Sequence, residues 1–169
     1  MAQSNDIYKS PDPFLSIRMK EYKELYETAL KCKNEGNQHF KASNYKEAKD
    51  QYLLGDKLIE YQTIFTYNTI DKEKFENLMN LKKDLKLNAA LSNIKLNNFL
   101  DAVGLCTEVI KNFPNKNSKA YYRRALAYKG LEMFEEAMND ALKATTDEPQ
   151  EETYQKTFDE IKLLSTQKK

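Results

Sequence analysis

Apolar residues recur three or four positions apart along most of this chain, which is the spacing of a helix with one buried face. The segment containing Phe75, Leu78, Leu81 and Leu85 is typical of the pattern. No segment shows the residue-by-residue alternation that a half-buried strand needs. The pattern predicts seven helices, at about residues 14–41, 45–64, 73–96, 99–113, 118–130, 134–146 and 150–166.

Short polar segments mark the turns between these helices. Asn44 with Glu47, and Asn98 with Asp101, have the spacing of a capping box, in which both side chains bond to free amides at a helix start. Residues 65–72 are polar and β-branched. We therefore expect helix starts just after the two asparagines and a loop over 65–72.

A pattern of small residues occurs three times along the chain, usually ending in a proline. Small residues allow two helix axes to approach closely, and a single hairpin cannot bury both of its faces, so hairpins stack on one another. Each copy spans about 34 residues, the period of a stacked helix–turn–helix repeat. The copies are Gly36, Ala48, Tyr52 and Gly55; Ala90, Ala102, Cys106, Val109 and Pro114; and Ala125, Ala137, Ala141, Ala144 and Pro149.

The repeats predict one folded domain that covers nearly the whole chain. An additional segment separates the first two copies, and longer helices joined by a loop account for it. The last helix has one apolar side and one polar side, as a solvent-facing cap needs. The predicted parts are a tail or linker at 1–13, a repeat domain at 14–169, repeats at about 29–62, 83–116 and 118–151, an insertion at about 63–82, and a capping helix at about 150–166.

Charge and composition limit the classes of partner. The net charge is +1, from 27 basic and 26 acidic residues, so no global field attracts nucleic acid or an anionic membrane. No run of about 18 apolar residues predicts a membrane span. Cys32 and Cys106 do not form a disulfide framework, and Cys106 occupies a repeat-core position, where we expect it to be buried. We expect the protein in a reducing compartment, the cytoplasm or also the nucleus.

Five nitrogen-bearing side chains occupy matching places in the three copies. Lys33 and Asn37 are four residues apart, as are Lys119 and Arg123, so each pair shares one helix face. Asn88 and Arg123 each stand two residues before the small residue of their repeat, so they hold equivalent places. Equivalent places in a stack of repeats lie on one surface. The spacing therefore predicts a groove with three cations and two amides, a set that suits a carboxylate. Its members are Lys33, Asn37, Asn88, Lys119 and Arg123.

Residues 33–40 resemble the Lys-x-x-Gly-Asn-x-x-Phe opening of chaperone-binding tetratricopeptide repeat (TPR) domains. Residues 87–90 and 119–124 are similar to the second and third signatures of that family. The resemblance covers about 29–165, and the insertion is similar to that of the large immunophilins, FK506-binding prolyl isomerases with a C-terminal repeat domain. It implies an all-α, right-handed α-solenoid of three stacked TPR helix–turn–helix repeats plus a C-terminal capping helix.

The resemblance also implies a ligand. In the family, the five positions form a carboxylate clamp for the Glu-Glu-Val-Asp tail of 90-kDa or 70-kDa heat-shock chaperones. Phe40, one turn beyond Asn37, is either an apolar wall of the groove or part of the core. The alternative function is a scaffold whose groove takes an internal peptide or another protein. A prolyl isomerase domain preceding this one in the parent protein is implied by the resemblance alone.

The sequence offers little for catalysis, metals or cofactors. His39 is the only histidine, and there is no Cys-x-x-Cys, His-Glu-x-x-His or glycine-rich phosphate loop. We therefore expect a non-enzymatic module without a cofactor or a metal. Residues 161–169 are basic and amphipathic. A capping helix explains that pattern, and so does the calmodulin binding associated with the comparable helix of large immunophilins.

Overall fold

The computed structural model describes the backbone of residues 15–66, 71–113 and 117–167, and the side chains of these ranges except for 15–20 and 61–66. The predicted tail, Pro114 and part of the predicted insertion lie outside the described residues. Seven helices occur in the described ranges: α1 Leu15–Lys41, α2 Tyr45–Thr66, α3 Lys72–Lys95, α4 Phe99–Asn112, α5 Ser118–Gly130, α6 Phe134–Asp147 and α7 Glu152–Gln167.

All seven predicted helices are present, and their ends agree with the predicted ones within about two residues. Part of the loop expected over 65–72 is helical, because α2 continues to Thr66. Asp71 is the N-cap residue of α3, and its side chain accepts a hydrogen bond from the Lys74 backbone amide at 2.9 Å.

The three turns inside the hairpins share one geometry. Ser43, Asn97 and Glu132 each have φ near +60°, and each stands two residues before the next helix. The amide after each of them bonds to a carbonyl five residues earlier, at 2.9 Å for Asn44 and 3.0 Å for Met133. This left-handed residue with its 6→1 bond is a Schellman motif, which ends a helix and reverses the chain. The same turn recurs in all three repeats and aligns them.

The predicted capping box at Asn98 is wrong. Asn98 precedes α4 with φ −84° and ψ 63°, and its side chain makes no capping bond. Its side-chain nitrogen, Nδ2, instead lies 3.5 Å from Oδ1 of Asn93. The Schellman motif sets the backbone at this turn, and that conformation leaves Asn98 outside the β-region geometry typical of a capping residue.

The repeat signature is the core of the stack. Its described members, except the exposed Pro149, are buried, and the small ones stand where helices approach closely. A Cβ atom on Gly36 would lie 2.5 Å from a Tyr52 ring carbon, and one on Gly55 would lie 3.1 Å from the Leu85 methyl carbons. Cys106 is fully buried, as predicted. The predicted hairpin core is therefore confirmed at these positions.

Consecutive helices pack against each other throughout the described chain, and α3 also contacts α1 and α5. The first helices of the three hairpins therefore lie side by side. We call the surface formed by α1, α3 and α5 the inner face.

Helix α7 covers the end of the stack. Its apolar side buries Tyr154, Thr157 and Ile161, while Leu163 is exposed. Ile161 belongs to the same core cluster as Ala137 and Ala141 of α6. These contacts support the capping interpretation, and they give the calmodulin hypothesis no support, because the apolar side is already covered. No helix in the described ranges is long and apolar enough to cross a membrane.

Candidate functional site

Asn37 is held on the inner face by a core tyrosine. The Tyr52 hydroxyl on α2 donates a hydrogen bond to Asn37 Oδ1 at 2.8 Å. The Tyr52 ring is almost fully buried, and burial raises the pKa of its hydroxyl while the nearby Arg123 charge opposes that rise. Gly36 leaves room for the ring against α1. A repeat-core residue therefore sets the orientation of a candidate site residue.

Asn88 and Arg123 form the second contact of the site. Arg123 Nη1 on α5 donates to Asn88 Oδ1 on α3 at 3.3 Å. Burial lowers the pKa of the Arg123 guanidinium, and Tyr154 and Asp84 are among the groups that counteract this. Because the Arg123 guanidinium is largely removed from water, its attraction to an incoming anion is screened less than that of a fully hydrated cation.

The neighbouring Arg124 has a different role. Its guanidinium forms a two-pronged pair with Asp140 of α6, at 2.6 and 2.9 Å. It also donates to Thr107 of α4 at 3.0 Å. Successive helical residues point about 100° apart, so Arg123 reaches the inner face while Arg124 joins α4, α5 and α6.

The Lys33 ammonium group is engaged in an ion pair within the protein. Its Nζ lies 2.5 Å from Asp84 Oδ2 on α3. The Lys33–Asp84 pair connects α1 to α3 across 51 residues of the chain, and the Asn88–Arg123 pair connects α3 to α5 across 35 residues. Asp84 precedes Asn88 by one turn, just as Lys33 precedes Asn37 and Lys119 precedes Arg123. One row of the inner face is therefore Lys33, Asp84 and Lys119, and the next is Asn37, Asn88 and Arg123.

Of the five predicted side chains, Asn88 and Arg123 bond to each other, and Asn37 borders the same cleft as Asn88. Lys33 bonds to Asp84 of α3, and Asn37 bonds to Tyr52 of α2. Lys119 is exposed near the start of α5, one turn before Arg123. Among the described residues, its ammonium group is not seen bonded to the other four. Its place in the arrangement follows from the register of α5 against α3.

Phe40 takes part in both the core and the site. It is half-buried, packs against the core cluster that contains Ala48 and Tyr52, and meets the Tyr45 ring edge-on at 5.1 Å between centroids. It also borders a cleft of about 100 Å³ together with Asn37, Tyr52, Asn88 and Leu91. Its two predicted roles are therefore compatible.

Sequence reasoning missed two residues of the site. The repeat spacing predicts a core position for Tyr52, and nothing in the spacing indicates that its hydroxyl reaches Asn37. Asp84 could have been found, because the four-residue spacing that joins Lys33 to Asn37 also joins Asp84 to Asn88. Its acidic side chain differs in charge from the cations and amides that a carboxylate-binding groove predicts.

The hydrogen-bonding groups of the site are mainly donors. Tyr52 and Arg123 occupy Oδ1 of Asn37 and of Asn88, which leaves the two Nδ2 groups as donors beside three cations. Such a set binds oxygen anions. In the described part of the chain, no group of three or more His, Cys, Asp or Glu could hold a metal ion.

Comparisons with known proteins agree with this architecture. No protein-family model matches the chain. The chain is 27% identical to the peptidyl-prolyl cis-trans isomerase CYP7 of Saccharomyces cerevisiae, over 97% of its own length and 42% of the relative. It is 38% identical to the mouse DnaJ homolog subfamily C member 7, over 66% of its length and 19% of the relative. The chain therefore spans less than half of either relative.

Two solved structures show the fold. The C-terminal TPR-containing domain of a Plasmodium falciparum protein described as FK506-binding superposes with a TM-score of 0.71 at 24% identity, covering 88% of this chain and 96% of that one. The first TPR domain of Spaghetti (RPAP3), bound to the HSP90 peptide SRMEEVD, superposes with a TM-score of 0.63 at 26% identity, covering 83% and 94%. The chain has the tetratricopeptide-repeat α-solenoid fold of these neighbours.

Proposed function

We infer that the inner face binds the C-terminal tail of a heat-shock chaperone, with the last residue of the tail held by Lys33, Asn37, Asn88, Lys119 and Arg123. The observation that carries this proposal is the donor pattern. Both asparagine oxygens are engaged within the protein, so the groove offers amide and cationic N–H groups to a ligand rich in oxygen acceptors. A C-terminal aspartate presents two carboxylates within one residue.

The five side chains divide the recognition between them. Arg123 contributes a planar fork suited to one carboxylate, and the two lysines contribute rotatable donors suited to either. Hydrogen bonds to charged groups contribute about 1.5–3 kcal/mol each, while ordering a flexible tail opposes them. A dissociation constant of about 1 μM needs about 8 kcal/mol, so five such contacts together with some apolar burial are enough.

The solved neighbour with the HSP90 peptide supports this choice of partner, because its ligand ends in the same Glu-Glu-Val-Asp sequence that the clamp family recognises. The 90-kDa chaperone is therefore the first partner to test, and the 70-kDa chaperone is the second. The cleft bordered by Phe40 and Leu91 supplies apolar surface for a residue upstream of the terminal aspartate.

The parent protein is a further part of the proposal. The yeast relative is a prolyl isomerase of which this chain matches 42%. This supports a chain in which an isomerase domain, of the FK506-binding type in our proposal, is tethered to the chaperone by the present domain. The present domain itself acts as a non-catalytic interaction module.

Calorimetric titration with the peptide SRMEEVD as a free acid and as a C-terminal amide tests the proposal. We expect binding of the acid and at least a tenfold loss for the amide, because amidation removes the α-carboxylate that the clamp holds. An internal-peptide scaffold would bind both forms equally, and that result would overturn the proposal.

Substitution of Lys119 gives the matching protein-side test. Lys119 is exposed, so Lys119→Ala leaves the fold intact, and we expect it to weaken the peptide about tenfold or more. Lys129→Ala is the control on the same helix, because Lys129 pairs with Glu160 of α7 at 3.0 Å and lies outside the clamp. Equal affinities for the two variants would contradict the assigned role of Lys119.

A further inference from the structure

The central position in the first row of the inner face is acidic. Asp84 lies between the helices that carry Lys33 and Lys119, and it already holds the Lys33 ammonium group at 2.5 Å. A ligand carboxylate would need the same ammonium group. The protein therefore contains its own carboxylate at the place where a bound tail would put one.

We propose that Asp84 is an internal competitor for the clamp lysine, so that a carboxylate-terminated tail binds only after it displaces Asp84 from Lys33. This inference rests on the proposed function of the inner face. It assigns Asp84 as a residue that sets the affinity and the selectivity of the clamp for acidic tails.

The exposure of the two partners makes this displacement feasible. The Asp84 side chain is 53% exposed, whereas that of Lys33 is 24% exposed. Asp84 can therefore rotate into water and recover its hydration, while Lys33 stays on the inner face. An exchange of one carboxylate for another costs little, since ion pairs near the surface contribute modestly.

Charge gives the direction of the effect. Lys33, Lys119 and Arg123 supply three positive charges, and Asp84 cancels one of them. Asp84 also acts electrostatically on Arg123, so its charge reaches both rows of the inner face. A tail with two terminal carboxylates meets repulsion from Asp84 that a singly charged end meets less strongly.

The test is the affinity of SRMEEVD for Asp84→Asn, which keeps the shape and removes the charge. We expect binding about 3- to 10-fold tighter than that of the unsubstituted chain, and a smaller gain for a peptide whose last residue is Asn. Glu76→Gln is the matched control, because Glu76 is a similarly exposed acid on α3, paired with Lys72 at 3.7 Å. It lies eight residues, or about 12 Å, nearer the helix start, and we expect no change in affinity.

A double-substitution cycle isolates the competition. If Asp84 masks Lys33, Lys33→Ala weakens the peptide less in the unsubstituted chain than in the Asp84→Asn background. Equal losses in the two backgrounds, or weaker binding by Asp84→Asn alone, would overturn the inference and make Asp84 a support that positions Lys33.

Failure of the inference is distinguishable from failure of the proposed function. If the unsubstituted chain binds the free acid better than the amide but Asp84→Asn binds no tighter, the proposed function is supported and the competition by Asp84 is refuted. If neither chain distinguishes the acid from the amide, the proposed function and the competition are both refuted. If only Asp84→Asn binds the acid measurably, the competition by Asp84 is supported and the proposed function of the unsubstituted chain is refuted.

Discussion

The Tyr52 hydroxyl on α2 donates to Asn37 Oδ1 on α1 across 2.8 Å. This bond joins the buried centre of the first hairpin to the inner face. It holds the Asn37 amide in one orientation, with the oxygen engaged and the nitrogen left as a donor. The packing of the first repeat and the chemistry of the proposed clamp therefore depend on one another.

Removal of that hydroxyl separates the two roles. In Tyr52→Phe the ring still fills the core, but the Asn37 amide can turn its oxygen toward the groove and repel a carboxylate. We expect peptide affinity to fall about 3- to 10-fold and unfolding free energy to fall by about 1 kcal/mol, measured by calorimetry and urea denaturation. Tyr45→Phe is the control, since the Tyr45 hydroxyl only reaches Ser43 Oγ at 3.5 Å. Equal effects of the two changes would refute the link.

Gly36 is the residue that allows Tyr52 to approach α1. A methyl group there would lie 2.5 Å from a ring carbon of a fully packed side chain, so Gly36→Ala should cost about 1–3 kcal/mol of unfolding free energy and weaken peptide binding by moving the ring. Gly104 also stands within a helix, but a Cβ atom there meets nothing within 4 Å. Gly104→Ala should therefore stabilise the chain by about 0.5–1 kcal/mol. Thermal denaturation of both variants checks the opposite signs, and a neutral Gly36→Ala would contradict the packing.

We expect substitution of Arg124 to lower stability and substitution of Arg123 to remove peptide binding. Arg124→Ala leaves Asp140, whose side chain is 9% exposed, without its cation, and we expect a loss of about 3 kcal/mol of unfolding free energy with peptide binding retained at low temperature. Lys156→Ala is the control, because its pair with Glu152 is largely exposed and should matter by less than about 0.5 kcal/mol. Arg123→Ala should instead abolish binding. A binding loss in folded Arg124→Ala would contradict this division.

Cys106 predicts a dependence of stability on alkaline pH. Burial raises the pKa of its thiol from 9.0 to about 12. A raised folded-state pKa means that the contribution of the neutral thiol to stability is complete below pH 9 and is lost as the pH rises from 9 toward 12. Between pH 8 and pH 10, the unsubstituted chain should therefore lose more unfolding free energy than Cys106→Ala does, by on the order of 1 kcal/mol. Urea denaturation at the two pH values measures this difference, and parallel losses would contradict it.

The helices and the hairpin core were predictable because they depend on local periodicity. Ala102, Cys106 and Val109 occupy one face of α4, and their spacing alone indicated that they are buried. The capping box at Asn98 was predicted wrongly, because residue types at the right spacing do not fix φ and ψ. The preceding Schellman turn fixes them, and its left-handed residue there is Asn97, in a position where glycine is more usual.

The sequence by itself determined the seven helices, the three repeats and the candidate set of cations and amides, because each follows from spacing along one helix or from equivalence between repeats. Only the tertiary structure decided which groups these side chains meet. Asp84 pairs with Lys33, Tyr52 orients Asn37, and Lys86 becomes a buried cation between Asp56 and Glu108 at 2.9 and 2.7 Å. Such partners come from different helices, and their distances depend on how the hairpins stack in register, which no local pattern encodes.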